Sequence, residues 1–235
     1  MTVRPPSIGA LTGLASEAAI LRDFSHDPVT KVQIGVSAAQ AALARAQVAE
    51  LLKAKPSGLI SFGLAGALDP ELVAGSLVIP DQICDQQGHR HFCDREWATA
   101  LRTAAARRGQ SVVNGKILGS DTVIRRRLEK EIAFKEFKAL AVDMESHFLA
   151  AAADQNDIPF IVVRAIADTA SDDLPKAALA PLTATGKPRI DLVLLELIKR
   201  PWELPALARL ANQSARAHNC LRGLQPLSAA LFRSL

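Results

Sequence analysis

The chain has 235 residues, of which 49% are hydrophobic and 22% charged, and its formal net charge is +4. This length favours one large α/β domain, alone or with an appendage. The apolar fraction excludes a globally disordered chain, and so small a charge excess is not typical of a nucleic-acid-binding protein.

Short apolar runs alternate with helical patterns along the chain. The predicted strands are 7–11, 29–36, 59–62, 75–80, 112–118 and 160–167. The predicted helices are 15–23, 38–53 with Ser37 as its N-cap, 95–108, 123–138, 145–156, 188–199 and 204–218. This alternation predicts an α/β layered fold with a mainly parallel sheet.

Ligands of such sheets bind beyond the carboxyl ends of the strands. The exits from apolar runs that carry Gly, Ser or Asp are 12–17, 35–38, 63–67, 119–121 and 164–172. We predict a tight loop at 63–67, whose glycines would let the backbone approach a ligand closely. The turn at 35–37 offers free N–H groups to an anion or a ribose hydroxyl, although an ordinary strand–helix turn explains it equally well.

Carboxylates stand at or near these exits. Glu17 begins a helix, where the helix dipole alone would favour an acidic residue. Glu145 also begins a helix, but Asp143 is the better cap, which leaves Glu145 free to accept hydrogen bonds from vicinal ribose hydroxyls. Asp168 ends an apolar strand, where a buried carboxyl group can donate a proton; a structural ion pair with Arg164 is the alternative.

Metal and disulfide chemistry are not indicated. The three cysteines form no C-x-x-C pair, which favours a reducing cytosol over a disulfide framework or structural zinc. His89 and His91 share one strand face, but no third ligand is evident, so we expect no metal. The N-terminus lacks a signal-peptide pattern, and no apolar run is long enough to span a bilayer.

Six collinear segments together resemble the purine nucleoside phosphorylase and nucleosidase superfamily, and in particular 5′-methylthioadenosine/S-adenosylhomocysteine nucleosidases. The segments are GLASEAAIL (13–21), IGVSAAQAAL (34–43), GLAGALDPELVAGSLVIPD (63–81), GSDTVI (119–124), AVDMES (141–146) and IPFIVVRAIADTAS (158–171). The resemblance implies a three-layer fold with a central mixed, mainly parallel twisted sheet flanked by helices, plus a C-terminal helical tail. We therefore expect a domain at 1–199 and a helical extension at 200–235.

The resemblance also implies a role for each matching residue. Glu17 matches the carboxylate that activates the attacking water, and Asp168 matches the acid that protonates purine N7. Glu145 matches the residue that holds the ribose 2′- and 3′-hydroxyls. The further predicted substrate-binding residues are Met144, Ile124, whose backbone would face the purine, Ser120, Asp121, Gly66, Ala65 and Arg164.

At two places the sequence departs from the family pattern, and these differences indicate whether water or phosphate is the nucleophile. Leu64 stands where members often carry Ser or Thr, and 13–17 replaces the Gly-x-Pro-x-Arg pattern that binds phosphate in bacterial phosphorylases. A carboxylate at Glu17 would repel phosphate. We therefore expect water as the nucleophile and no cofactor, while inorganic phosphate as co-substrate, assisted by Arg164 or Arg22, stays open.

The segment 200–218 resembles the hopanoid-associated phosphorylase branch of the superfamily, which implies adenosylhopane as the substrate. Its apolar residues share one helical face, from which Arg209 and Arg216 are excluded. These apolar residues are Leu204, Leu207, Ala208, Leu210 and Ala211. Such a face either rests on a membrane surface or packs on the domain or a second subunit.

We expect a cytoplasmic enzyme, a homodimer without nucleic-acid partners, that cleaves an adenine nucleoside carrying an apolar 5′ group. Peripheral contact with the inner membrane is a further expectation. Two alternatives stay open: a methylthioadenosine/S-adenosylhomocysteine nucleosidase, and a nucleoside-binding module without catalysis. The presence of all three carboxylates argues against the second alternative.

Overall fold

The computed structural model describes residues 7–25 and 30–232. The strands in this part of the chain are β1 (Ser7–Thr12), β2 (Lys31–Val36), β3 (Gly58–Ala67), β4 (Leu77–Val78), β5 (Gln82–Asp85), β6 (Arg90–Phe92), β7 (Val112–Val113), β8 (Lys116–Gly119), β9 (Ala141–Asp143) and β10 (Phe160–Asp168). The helices are α1 (Ala15–Phe24), α2 (Ala41–Lys53), α3 (Arg95–Arg107), α4 (Arg127–Phe137), α5 (Ser146–Asn156), α6 (Ile190–Lys199), α7 (Leu204–Arg222) and α8 (Ser228–Leu231).

All these strands belong to one sheet. Eight of them run in the order β6-β5-β8-β9-β3-β10-β4-β7, and β1 joins both β3 and β2. The pairs β10–β4, β3–β9 and β5–β6 are antiparallel, whereas the other pairs are parallel. The sheet is therefore mixed but mainly parallel, as the sequence predicts.

Helices cover both faces of this sheet. Strand β10 is buried along its whole length, and its side chains alternate between the two faces. Ile161 and Val163 join a core with residues of α1, α3, α7 and α8, whereas Phe160 and Val162 join a core with residues of α2 and α5. The run of apolar residues at 160–167 follows from this burial on both sides.

Several predicted elements differ from the structure in type or bounds. The predicted loop at 63–67 continues β3, because these residues pair with β10 and β9. The helix predicted from residue 38 begins at Ala41, since Ala38 and Ala39 have φ of 53° and 52°. Ser37 is therefore not its N-cap. The predicted strand 112–118 is two strands, β7 and β8, interrupted at Asn114-Gly115.

The C-terminal helices pack on the same core as the rest of the chain. Ala217 and Leu221 of α7 are buried beside β10, and Leu231 of α8 is buried near Trp97 of α3, whose indole donates to the Leu231 carbonyl. The N-terminal half of α7 is more exposed, with Leu204 at 58%. The predicted boundary at 199/200 stays a prediction.

Three predicted features reach outside the described residues: the start of the domain at 1–6, the start of the second strand at Val29, and the end of the C-terminal extension at 233–235. Within 7–25 and 30–232, no helix combines the length and the apolar character needed to cross a membrane.

Candidate active site

A cavity of about 200 Å³ opens where β1, β3, β9 and β10 end. Its lining residues are Gly13, Leu14, Glu17, Ala39, Leu64, Ala65, Gly66, Thr122, Val123, Ile124, Val142, Asp143, Met144, Glu145, Ala167, Asp168 and Leu174. Three of the five predicted strand exits, 12–17, 63–67 and 164–172, thus contribute to one cavity, whereas no residue of 35–38 or 119–121 lines it.

Three buried carboxylates in this cavity each pack against a glycine. A Cβ atom added to the glycine would lie 2.6–3.0 Å from the nearest carboxylate atom, which is closer than real Cβ contacts. The pairs are Glu17 with Gly63, Glu145 with Gly13, and Asp168 with Gly66. The missing side chains of these glycines provide the space that the carboxylates occupy.

Backbone N–H groups hold Glu17 from two elements. Its Oε2 accepts from Gly13 at 2.8 Å and from Leu14 at 2.7 Å, and its Oε1 accepts from Leu64 of β3 at 2.8 Å. A carboxylate has about four acceptor positions, so one position remains for a water molecule. Burial raises the pKa of Glu17 above its ordinary value, while the Arg164 guanidinium acts in the opposite direction.

Glu145 lies between polar side chains from two further elements. Ser37 donates to its Oε1 at 3.0 Å, and the Arg164 guanidinium lies 3.9 Å from its Oε2. Burial, opposed by Arg164 and assisted by the nearby carboxylates of Asp143 and Glu17, raises the pKa of Glu145 to about 7. This carboxyl group therefore changes its charge near neutral pH.

Arg164 balances the negative charge beneath the cavity. Its Nε donates to Asp143 at 2.6 Å and its Nη2 donates to Ser61 at 2.6 Å. Asp143 also accepts from the Ser146 N–H at 3.2 Å, but the N-cap position of α5 is Glu145 and not Asp143 as predicted. Because these partners hold the guanidinium and it is 1% exposed, it is not free to bind a ligand anion.

Asp168 pairs with a buried lysine that the sequence analysis did not single out. Lys130 of α4 donates to Asp168 Oδ2 and is 0% exposed. Burial raises the pKa of Asp168, and the Lys130 ammonium acts against that rise. A signal for Lys130 exists in the sequence, because it shares a helix face with Ala133, Phe134 and Phe137.

Seven of the ten predicted site residues line the cavity: Glu17, Asp168, Glu145, Met144, Ile124, Gly66 and Ala65. The other three have protein partners elsewhere. Ser120 donates to the Thr122 carbonyl at 2.6 Å, Asp121 lies 2.9 Å from His147 Nε2, and Arg164 is held as described above. The roles of all ten residues stay predictions.

Residues 15–199 match the phosphorylase superfamily. The chain belongs to this superfamily. A relative in the same phosphorylase superfamily is the 5′-methylthioadenosine/S-adenosylhomocysteine nucleosidase of Buchnera aphidicola, which is 27% identical over 192 residues. The match covers 74% of this chain and 78% of the relative.

Two solved structures are similar in fold over nearly the whole chain. The Helicobacter pylori 5′-methylthioadenosine/S-adenosylhomocysteine nucleosidase has a TM-score of 0.71 at 16% identity and covers 94% of this chain and 98% of its own. The Streptococcus pyogenes S-adenosylhomocysteine nucleosidase, in complex with 5-methylthiotubericidin, has a TM-score of 0.70 at 18% identity, with 97% and 99% covered. The fold predicted from the sequence is confirmed.

Proposed function

We propose that the protein hydrolyses the N-glycosidic bond of an adenine nucleoside. The observation that carries the proposal is that three buried carboxylates border one cavity at two places. Glu17 and Glu145 both contact Gly13, whereas Asp168 lies against Gly66. This separation suits a sugar-binding end with two carboxylates and a base-binding end with one.

The proposed reaction assigns one task to each carboxylate. Asp168 donates its proton to N7 of adenine as the C1′–N9 bond breaks and its electron pair passes into the purine ring. Glu145 accepts hydrogen bonds from the ribose 2′- and 3′-hydroxyls. Glu17 accepts the proton of the water that attacks C1′ of the oxocarbenium-like sugar. The products are adenine and a free ribosyl compound.

The charge of the cavity favours water over phosphate as the nucleophile. Among the described lining residues there is no Lys or Arg. Phosphate sites in proteins generally use such cations, and the charge of Glu17 would repel the anion. Hydrolysis therefore explains the site better than phosphorolysis does.

The lining of the cavity favours an apolar 5′ group on the substrate. No aromatic residue lines the cavity within the described part of the chain, and the rim is aliphatic, with Leu14, Leu64, Val123 and Leu174. A small thioether would be better held in a closed aromatic pocket. We therefore keep adenosylhopane as the proposed substrate and a methylthioadenosine-type nucleoside, the named substrate class of the relatives, as the alternative.

An exposed apolar face on helix α6 supports two further proposals, a membrane contact and a dimer contact. Helix α6 buries none of its residues and exposes Ile190, Leu194 and Ile198, at 61%, 55% and 78%. Such a face suits either a peripheral membrane contact or a second subunit of a homodimer. A cytoplasmic enzyme that meets a lipid-like substrate at the inner membrane is consistent with the first of these.

The function is tested by offering the enzyme adenosylhopane in phospholipid vesicles and methylthioadenosine in solution, each with and without phosphate. We expect adenine release from both, a higher kcat/KM for adenosylhopane, and no effect of phosphate. Chromatography of adenine and mass spectrometry of the sugar product are the measurements. A ribose-1-phosphate product would establish phosphorolysis, and a preference for methylthioadenosine would establish the alternative substrate.

The pKa of Glu145 predicts how kcat/KM depends on pH. Because burial raises that pKa to about 7, the ionised form that accepts hydroxyl hydrogen bonds is present above this pH and lost below it. We expect kcat/KM to fall as the pH decreases through about 7. In Glu145→Gln this dependence should diminish and KM should rise about 10- to 100-fold, the worth of charge-assisted hydrogen bonds. An unchanged acidic limb in Glu145→Gln would contradict the assignment.

A further inference from the structure

The ammonium group of Lys130 lies fully buried behind the cavity, with every N–H group occupied. It donates to Asp168 Oδ2, to the Thr169 carbonyl at 2.7 Å and to the Asp172 carbonyl at 3.1 Å. An ammonium has three N–H donors and no acceptor, so these partners satisfy it completely. The lysine thus joins α4 to the end of β10 and the loop that follows.

The packing of α4 alone does not explain a lysine at this position. Lys130 lies on the buried face with Ala133, whereas Leu128 and Ile132 are 65% and 54% exposed. Burying a charged group costs several kcal/mol unless it is paired, and an apolar side chain of similar volume often stabilises a protein as well or better. The position of the charge therefore points to Asp168.

We propose that Lys130 is a positioning residue that stabilises the negative charge that Asp168 acquires when it protonates the leaving adenine. This proposal rests on the proposed function. Asp168 lines the cavity; its Oδ2 is held by Lys130, while its Oδ1 has no hydrogen-bond partner among the described residues. Oδ1 is thus the oxygen that holds the transferable proton.

The charges change in the following way during the step. The proton leaves Oδ1 for N7 while the C1′–N9 electron pair enters the purine ring, and Asp168 becomes an anion. Lys130 keeps its three protons and its charge. Before the transfer it faces a neutral carboxyl group, and after it an anion, so its attraction grows as the reaction proceeds. Interactions that strengthen toward the transition state increase kcat rather than substrate affinity.

The same geometry sets how the acid responds to pH. Asp168 faces Lys130 from α4 and Asp172 from the following loop; burial and Asp172 raise the pKa of Asp168, and Lys130 lowers it. The guanidinium of Arg209 in α7 lies 3.9 Å from the Asp172 carboxylate and forms no ion pair with Asp168. Removing the Lys130 charge therefore raises the pKa of Asp168 further. Because the acid works only when protonated, the loss of activity at high pH should move to higher pH.

The test compares Lys130→Met and Lys130→Arg with the wild type, and uses Lys135→Met, an exposed lysine of the same helix, as the control. We expect Lys130→Met to lower kcat about tenfold or more, with KM for the nucleoside nearly unchanged and the basic limb of the pH profile moved upward. Lys130→Arg should restore the position of the limb and part of kcat. Lys135→Met should resemble the wild type.

A second readout does not require turnover. Titration of the Asp168 carboxyl carbon by NMR, assigned with Asp168→Asn, should show a higher pKa in Lys130→Met than in the wild type. An unmoved titration and an unmoved basic limb, with lower thermal stability, would reduce Lys130 to a structural residue and overturn the proposal. If the titration moves but the wild type releases no adenine from any nucleoside, the proposed function fails while the electrostatic coupling of the two residues stands.

Discussion

Asp168→Asn is expected to slow adenine release about 100- to 10,000-fold, the usual contribution of a general acid. The amide cannot transfer a proton to N7, so adenine must leave as an anion. Lys130 then faces a neutral amide, which cannot become an anion in the transition state. KM should change little, because the proton transfer belongs to the transition state. Steady-state kinetics with adenine release as the readout would measure the effect.

The control for Asp168→Asn is a substrate whose leaving group needs no proton. Para-nitrophenyl ribofuranoside carries such a group, so the variant should cleave it at nearly the wild-type rate. Slow cleavage of both substrates would indicate a damaged site instead of a missing acid. Adenine release as fast as in the wild type would contradict the assignment of Asp168.

Glu17→Gln is the second variant with a large expected effect. A neutral amide does not accept the proton of the attacking water, so we expect hydrolysis to slow about 100- to 10,000-fold. The variant also introduces a local conflict, because both oxygens of Glu17 accept backbone N–H groups, from Gly13, Leu14 and Leu64. The amide nitrogen must face one of these donors, which costs about 1–3 kcal/mol of unfolding free energy.

Two measurements separate the effects of Glu17→Gln. Denaturant unfolding reports the loss of stability, and kinetics under conditions where the variant is folded report the chemistry. Glu71→Gln, at an exposed glutamate, is the matched control and should behave as the wild type. If Glu17→Gln kept full activity when phosphate is present, the nucleophile would be phosphate and the hydrolytic mechanism would be wrong.

Much of the fold follows from short apolar runs in the sequence, because each central strand is buried on both faces. The strands that escape prediction are β5, β6 and β9, with three or four residues each. Such short segments show no period of their own and are strands only because neighbouring strands pair with them. The continuation of β3 through Gly63–Ala67 is hidden for the same reason, since glycine and alanine do not favour strands by themselves.

The sequence predicts the positions of the carboxylates in the candidate site, but it does not predict which charged side chains pair with them. Glu17, Glu145 and Asp168 stand beside strand exits, and the topology brings them together. Arg164 is also recognisable as a buried charge, but the alternative of an ion pair with Asp168 is wrong, since Arg164 pairs with Asp143. The residue that pairs with Asp168 is Lys130. The choice of partner in each ion pair depends on the order of the strands in the sheet. The local sequence does not contain this order.

Each carboxylate of the candidate site packs against a glycine, so the position of the acid depends on the glycine as well. A side chain introduced at Gly13, Gly63 or Gly66 would displace the neighbouring carboxylate. A mutational scan scored by activity should therefore find these glycines as sensitive to substitution as the acids. The same contacts restrict redesign. A bulkier residue at Gly66 would place its Cβ atom 3.0 Å from Asp168 Oδ2. A larger residue at one of these glycines is therefore expected to require a matching change at its acid.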